Sequence, residues 1–364
     1  KTATAITGAV GYGAFRTATN LGGGFSVDQA LQDQLSVDRQ LQQISIHAVD
    51  ENGKQTHPDI APMRKAVNAA SIASNTDRSE LAGALYSYMN YSGGDEAGGM
   101  ENLGLFGKLA KVTGNKTEDI ARAAGTLKYQ NKNMSKGDQQ QLLLDIVQQS
   151  RVGGINPADL ARSAGKITRS ATGYTGNLLQ NQRELLGLSQ IAIGAAGGSV
   201  EEAGTAVSSI QADAITGKHR AHLQDLLGKD IFERGHITKS PRAFIEAIFD
   251  KTHGDEGKMM DVGFGRRSNK LFQGAGVIYD EELKKTGSHE QAMSALHKEL
   301  SQKTDATMSP QELERDFGEM MKTSAEQFEQ AVRQLKTEVA DKLLPELTKL
   351  IEPLRQLTPH LVTF

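Results

Sequence analysis

The residues whose types could do chemistry are nine histidines and a large set of acids, and their spacing limits what they could do. His219 and His222 lie three positions apart and would share one face of a helix. A zinc site needs at least one more ligand, together with partners that orient the ligands. The neighbouring sequence indicates neither, so we interpret both as surface or packing residues. The loop-like stretch His253–Glu256 is polar, and metal binding there is the less favoured interpretation.

The sequence motifs of the common enzyme classes are absent. The chain contains no H-E-x-x-H, no G-x-S-x-G and no G-x-x-x-x-G-K-[ST]. Glycines cluster at Gly8, Gly11, Gly13 and Gly22–Gly24, but no strand signal precedes them, so dinucleotide binding is a weak interpretation. No Glu combines apolar neighbours with the aromatic platform that a glycosidase needs. We therefore expect a non-enzymatic protein with no catalytic residues, no cofactor and no metal.

Composition narrows the class of protein further. The 364 residues include no Cys and no Trp, and only 5% are aromatic, which argues against a thick globular core. The absence of Cys excludes disulfides and Cys-ligated metals. A net charge of −3 without a basic block predicts no sequence-specific binding of nucleic acid. Because an interior Gly costs a helix roughly 1 kcal/mol relative to Ala, we interpret most of the 38 glycines as punctuation between helices.

Helix-start signals recur along the chain at a regular distance. Four signatures place a capping residue three positions before an acid, and they begin at Asp77, Asn115, Asn156 and Ser199. Each signature includes one of a set of evenly spaced acids: Glu80 to Asp119 is 39 residues, Asp119 to Asp159 is 40, and Asp159 to Glu202 is 43. This period of about 40 predicts a repeated helix pair, although four common capping boxes could fall evenly by chance.

Strand signals are nearly absent, and Gln43–Val49 is the single candidate strand. Further along, Gly228–Gly235 is typical of a short turn between helices, and Ser240 with Pro241 predicts a new helix start. The stretches His253–Gly265 and Arg266–Gly276 are interpreted as a Gly-rich loop and a helix-to-turn passage.

The C-terminal segment carries the clearest pattern. Ser309, Pro310 and Glu312 form a predicted capping box with Pro at the first helical position. Apolar residues then recur at steps of three and four, with one extra step of four that would locally unwind a supercoil. Pro345 and Pro353 would kink or end the helix. We expect this seam to mediate self-association, most simply as a homotrimer, with packing back onto the same chain as the alternative. Its residues are Phe328, Val332, Leu335, Val339, Leu343, Leu347, Leu350, Leu354, Leu357 and Leu361.

Together these signals predict an all-α fold, an extended array of helical hairpins followed by a long C-terminal helix of coiled-coil type. Residues 1–70 would form a Gly-rich N-terminal segment with helices and a loop, and residues 71–215 the helical repeats. Residues 216–305 would end the helical core, and residues 306–364 would form the coiled-coil helix.

The region from Leu185 to about Leu300 resembles the core of bacteriophage tail tape measure proteins. The residues that carry the resemblance are Ile193–Ala206, with a G-x-S-x-E-E-A-G-T-A helix start, followed by Leu226–Gly235 and Ser240–Ile248. The upstream repeats extend the resemblance to roughly Leu21–Leu300. Whole members of the family contain long extended helices, whereas this chain has one candidate and starts at Lys1, so we expect a fragment.

The resemblance implies a helical rod inside the tail tube and tail tip of the virion. Such a protein sets tail length, nucleates tube assembly from the tip and leaves the tube during genome ejection. The implied partners are copies of itself, the tube lumen, tip and baseplate hub proteins, and the host envelope after release. The resemblance brings no catalytic residues to this core.

Two alternative functions remain open at the level of sequence. The uncharged, Gly/Ala-rich runs Thr2–Phe15 and Leu185–Val200 motivate a secreted membrane-active translocator or pore-forming protein. Neither reaches the roughly 20 residues that a membrane-spanning helix needs. A helical scaffold or adaptor is the third interpretation, because caps and seams do not identify a partner.

Overall fold

The structure is a computed structural model that describes residues 20–21, 25–48 and 54–338. These residues are almost wholly helical, which confirms the all-α prediction. Two antiparallel pairs of two-residue strands are also present, β1 (Asn20–Leu21) with β2 (Phe25–Ser26) and β3 (Phe232–Glu233) with β4 (His236–Ile237). The helices are α1 (Val27–His47), α2 (Ile60–Ser74), α3 (Arg78–Ser92), α4 (Glu96–Thr113), α5 (Thr117–Gln130), α6 (Lys136–Gly153), α7 (Pro157–Thr168), α8 (Leu178–Ala192), α9 (Val200–Ile215), α10 (Gly217–Leu227), α11 (Pro241–Thr252), α12 (Glu256–Asp261), α13 (Asn269–Thr286), α14 (His289–Thr304), α15 (Pro310–Met320) and α16 (residues 324–338).

The first half of the fold is a stack of helix pairs in two rows. Helices α1, α3, α5, α7 and α9 pack on one another in turn, and α2, α4, α6 and α8 form the second row. Successive pairs begin at Arg78, Thr117 and Pro157, and α9 begins at Val200. These starts lie 39, 40 and 43 residues apart, the spacing that the acids predicted. Each pair buries its apolar face against its neighbours, as in helical solenoids.

Four predicted helix starts are confirmed, because in each the predicted capping side chain bonds to the first turn of the helix that follows it. Asn156, Ser199, Ser240 and Ser309 each accept a hydrogen bond from a backbone N–H in the first turn of the helix that follows. Ser309 and Glu312 complete the predicted capping box in both directions.

The first two predicted capping boxes are wrong. Asp77 makes no side-chain cap bond, and the residue before α5 is Lys116 rather than Asn115. Glu80 does not turn back to Asp77. Its carboxylate accepts from the backbone N–H of Thr117 at 3.2 Å and from the Thr117 hydroxyl at 2.6 Å. The acid of one repeat therefore caps the helix that starts the next repeat.

About half of the described glycines lie inside helices, so the interpretation of most glycines as punctuation holds only in part. A Cβ on Gly125 would lie 2.6 Å from the carbonyl oxygen of Tyr88, and one on Gly187 would lie 2.6 Å from the Cα of Thr304. A Cβ on Gly274 would overlap the carbonyl oxygen of Ile191. These glycines let helix backbones touch. The turn glycines Gly93, Gly114 and Gly154 do have positive φ values, as punctuation requires.

The predicted strand Gln43–Val49 is helical as far as His47, and Val49 lies outside the described residues. Val37, Leu41 and Ile44 are buried at steps of four and three, so the stretch follows the helical period of the residues before it. The helix-to-turn passage predicted for Arg266–Gly276 is also wrong beyond its start, because α13 runs through its glycines to Thr286.

The predicted turn at Gly228–Gly235 is present, but it contains a hairpin that sequence analysis missed. Arg234 and Gly235 both have positive φ, which suits the tight turn between β3 and β4. Within the Gly-rich loop His253–Gly265, the short helix α12 was likewise not predicted.

Helix α8 lies at the centre of the second half of the fold. It contacts α6, α7, α9, α11, α13 and α14, and Leu185, Leu186 and Leu188 are buried. This burial on several sides explains why the run that begins at Leu185 has so little charge. In the part of the chain that the structure describes, no helix has the length and apolar character to cross a bilayer. The other uncharged run, Thr2–Phe15, lies outside the described residues.

The C-terminal segment begins at Ser309 as predicted, but the described part is two helices rather than one. Helix α15 ends at Met320, and α16 begins at residue 324. The Thr323 hydroxyl accepts from the backbone N–H of Glu326 at 3.3 Å, so Thr323 supplies a cap for α16. Pro345 and Pro353 lie outside the described residues.

Candidate self-association surface

The predicted seam reaches the described structure on α16, where its apolar side chains face solvent. Phe328 is 59% exposed and Leu335 is 43% exposed, while Val332 between them is half-buried. Large apolar side chains grouped at helical spacing are uncommon on a surface that has no partner. The described part of the seam is therefore available to a partner. The seam residues that lie outside the described residues are Val339, Leu343, Leu347, Leu350, Leu354, Leu357 and Leu361.

The opposite face of α16 is polar, and this face contacts the rest of the chain. Glu326, Gln330, Arg333 and Thr337 follow one another at steps of four, three and four, so they line one side of the helix. Thr337 is buried, and the other three are half-buried. The apolar seam was predicted, but this second stripe was missed, although its regular spacing is visible in the sequence.

Specific contacts fix α16 on the N-terminal part of the helical stack. Glu326 accepts a 2.6 Å hydrogen bond from the amide of Asn75 and pairs with Lys111 at 3.0 Å. Further along the helix, an Arg333 guanidinium nitrogen lies 2.7 Å from a carboxylate oxygen of Asp77. Since the polar face is used in this way, the described part of the seam is turned away from the helical stack.

The histidines singled out in the sequence do not come together. His219 is half-buried against Gly263, and His222 is exposed on α10. His253 caps the C-terminus of α11 and contacts the ring of His289, with ring centroids 4.1 Å apart and ring planes tilted by 42°. Among the described residues, no group of three or more His, Asp or Glu side chains is placed to hold a metal ion.

The polar residues of the loop His253–Glu256 have local structural roles. Asp255 caps α12 by accepting from the backbone N–H of Lys258 at 2.8 Å. Glu256 is the first residue of that helix. The sequence interpretation of this stretch as polar and loop-like therefore holds only up to Asp255, after which the backbone is helical.

Two buried acids were missed by sequence analysis. Asp145 on α6 is fully buried and pairs with the Arg183 guanidinium at 2.8 Å. Burial raises the pKa of the Asp145 carboxyl, although hydrogen bonds from Gln141 and Arg183 oppose that shift. One oxygen accepts from Gln141 on the same helix at 2.8 Å, and the other accepts from Arg183 on α8, so the carboxylate joins α6 to α8 through Arg183.

The second buried acid, Glu184, is engaged at a helix end. One of its oxygens accepts from the backbone N–H of Arg242 at 2.8 Å, in the first turn of α11. The other accepts from the side-chain amide of Gln180 at 3.0 Å. Arg242 in turn reaches Asp305 at 2.5 Å and Thr304 at 3.0 Å. This chain of contacts joins α8, α11 and the end of α14, which is a structural role.

Comparisons with known proteins found no match, so the function must be inferred from the geometry described above. No protein-family model matches the chain. No curated protein and no solved structure matches it either. The outward-facing seam on α16 is therefore the structural observation that bears most directly on function.

Proposed function

We propose that this chain is a structural, non-enzymatic protein of a bacteriophage tail, a tape measure protein that lies in the tail tube and at the tail tip. In this role it sets tail length, nucleates assembly of the tube and is released during genome ejection. The observation that carries the proposal is an apolar seam presented outward at the end of a stack of capped helix pairs. The resemblance to tape measure proteins is the reason for proposing that the assembly is a phage tail.

The resembling segments form consecutive elements of the fold. Ile193–Ala206 includes the glycine turn after α8, the Ser199 cap and the first half of α9. Leu226–Gly235 covers the end of α10 and most of the small hairpin, and Ser240–Ile248 covers the cap and much of α11. The resembling segments therefore follow the buried helix α8 in chain order, separated by residues 207–225 and 236–239, and this order supports the proposal.

Self-association through the seam is the first partner interaction in this proposal. Each of the exposed side chains Phe328 and Leu335 would bury apolar area against the same residues of sibling copies, most simply in a homotrimer. Tube-lumen and baseplate hub proteins would be the other partners in the virion. Contact with the host envelope would follow release.

The proposal predicts that the gene is required for tails and that its length controls theirs. In the phage that encodes the chain, an early stop codon should give heads without tails. Duplication in frame of one helix pair, residues 117–156, should lengthen the tails by about 10 Å if the added pair stacks on its neighbours as in this fold, and by at most about 60 Å if its 40 residues extend as one helix at 1.5 Å each. Tail lengths would be measured by electron microscopy. A stop codon placed in a gene for an unrelated non-virion protein serves as the control.

Normal tails from the stop-codon mutant would reject a tail role altogether. Tails of unchanged length from the duplication mutant would reject length control, even if the tails require the protein. A membrane-active role is tested separately with purified chain and dye-loaded liposomes. Strong leakage without any tail component would favour the translocator alternative. Burial of α8 explains the low charge of Leu185–Ala192, the first half of one of the two runs that motivate this alternative.

A further inference from the structure

Helix α16 and the helix before it are attached to the rest of the chain in different ways. Helix α15 buries the apolar side chain of Leu313, has a complete capping box and follows the buried Met308. Within α16, by contrast, Thr337 is the single fully buried residue among those described. The three residues between the helices, 321–323, are non-helical. Helix α15 is thus held on the stack by buried apolar packing, whereas α16, which follows after a short break, buries almost no apolar side chain.

Besides the hydrogen bond from Asn75 to Glu326, the attachment of α16 consists of charged contacts, which we call the polar clasp: Glu326 with Lys111, Arg333 with Asp77, and Lys336 with Asp33. Their nitrogen-to-oxygen distances are 3.0, 2.7 and 3.0 Å. The α16 side chains of the clasp are about four-fifths buried by the contact, with exposures of 21%, 17% and 22%. The partners come from α1, the start of α3, and α4, so the clasp joins the last described helix to the first helices.

The contact under α16 is also incompletely filled. A cavity of about 300 Å³ lies between α1, the start of α3 and α16. It is lined mainly by polar and charged side chains, among them Arg78, Arg333 and Lys336. A polar space of this size admits water to the contact. Charge pairs that are reached by solvent are screened by salt, unlike pairs in a dry core.

We propose that α16 is a detachable arm, which the polar clasp holds on the helical stack and which swings out about residues 321–323 when the charges are screened or replaced. Attachment keeps the seam of Phe328 and Leu335 outward, and detachment frees the polar face as well. The proposal rests on contacts within one chain, so it holds whether or not the protein works in a phage tail.

The test measures the distance between α16 and the stack. Because the chain has no Cys, the substitutions Ala69→Cys on α2 and Gln334→Cys on α16, both at exposed positions, introduce the two sites for spin labels. Labelled full-length chain is diluted in an excess of unlabelled chain, so that pairs within one molecule dominate. Double electron–electron resonance then gives the distribution of distances between the two labels at low salt and at about 1 M salt, where the Debye length is about 3 Å.

We expect one narrow distance at low salt, and a shift of the majority of molecules to a broad, longer distribution at high salt. Lys336→Asp, which faces Asp33 with a like charge, should release the arm at low salt. The double substitution Asp33→Lys with Lys336→Asp should restore the narrow distance. The control Lys136→Asp makes the same change in charge but removes an exposed pair with Glu101 on α4, away from α16 and its hinge, and should leave the distance unchanged.

Circular dichroism of each variant establishes that the helical stack stays folded during the measurement. An arm that keeps its narrow distance at high salt and in Lys336→Asp would overturn the proposal. Release by the control variant as readily as by Lys336→Asp would overturn it too, and so would a charge-reversed double variant that stays released.

Discussion

Replacement of Gly274 by Ala should lower the free energy of unfolding by about 3 kcal/mol, because the added methyl group has no space. Gly274 lies in the middle of α13, where that helix crosses α8. A Cβ at this position would overlap the backbone oxygen of Ile191, and a backbone atom cannot move aside as a flexible side chain can. The two helices would have to separate, and the buried aromatic Phe272 on α13 would lose part of its packing. Urea unfolding followed by circular dichroism measures the change.

Gly276, two residues further along the same helix, provides a matched control. A Cβ there would meet no atom within 4 Å. Gly276→Ala should therefore raise the free energy of unfolding by about 0.5–1 kcal/mol, since Ala loses less conformational freedom in a helix than Gly. Equal effects of the two substitutions would contradict the close crossing of α13 and α8.

Replacement of Asp145 by Ala should lower the free energy of unfolding by about 3–5 kcal/mol, the usual cost of breaking a buried ion pair. Asp145 is fully buried, and the Arg183 side chain is only 16% exposed. Removal of the carboxylate would leave the guanidinium partly buried without its counter-charge, and Gln141 would lose its acceptor. The contact between α6 and α8 would weaken most. The midpoint of urea unfolding is again the measurement.

Glu101→Ala is the control for the Asp145 substitution, because it also removes one acid from an ion pair. Glu101 pairs with Lys136 at 2.8 Å, but the two side chains are 55% and 52% exposed. Solvent screens such a pair, so the expected loss is within about 0–1 kcal/mol. If the loss from Asp145→Ala were no larger than this, the buried pair would not hold the helices as described.

The features of this fold that could be predicted from sequence are the ones that neighbouring residues determine. The caps at Asn156, Ser199 and Ser309 lie within a few residues of the backbone groups that they satisfy. The repeat of about 40 residues was visible because α3, α5, α7 and α9 each carry an acid in the first turn, whether or not a local cap forms there. The seam on α16 was visible because apolar spacing shows which residues share a helix face, whether or not that face is covered.

The features that could not be predicted depend on pairs of residues that are distant in sequence. Glu80 caps a helix that begins 37 residues later, and Asp145 pairs with a residue 38 positions away. The packing role of the interior glycines could not be predicted for the same reason, because a close crossing such as that of Gly274 on Ile191 depends on which helices meet. The contact made by the polar stripe of α16 could not be predicted either, since its partner Asn75 lies 251 residues earlier.

Self-association through the exposed seam is the physical claim on which the proposed function depends. Sedimentation equilibrium of the full chain tests it, with the double variant Phe328→Asp and Leu335→Asp. Met260→Asp with Val277→Asp is the control, because these side chains are 56% and 60% exposed elsewhere and the charge change is the same. We predict a mass about three times the 39.2 kDa of one chain for the wild type and the control, and a single-chain mass for the seam variant. A wild-type monomer at high concentration, or a seam variant that associates as strongly as the wild type, would contradict the account.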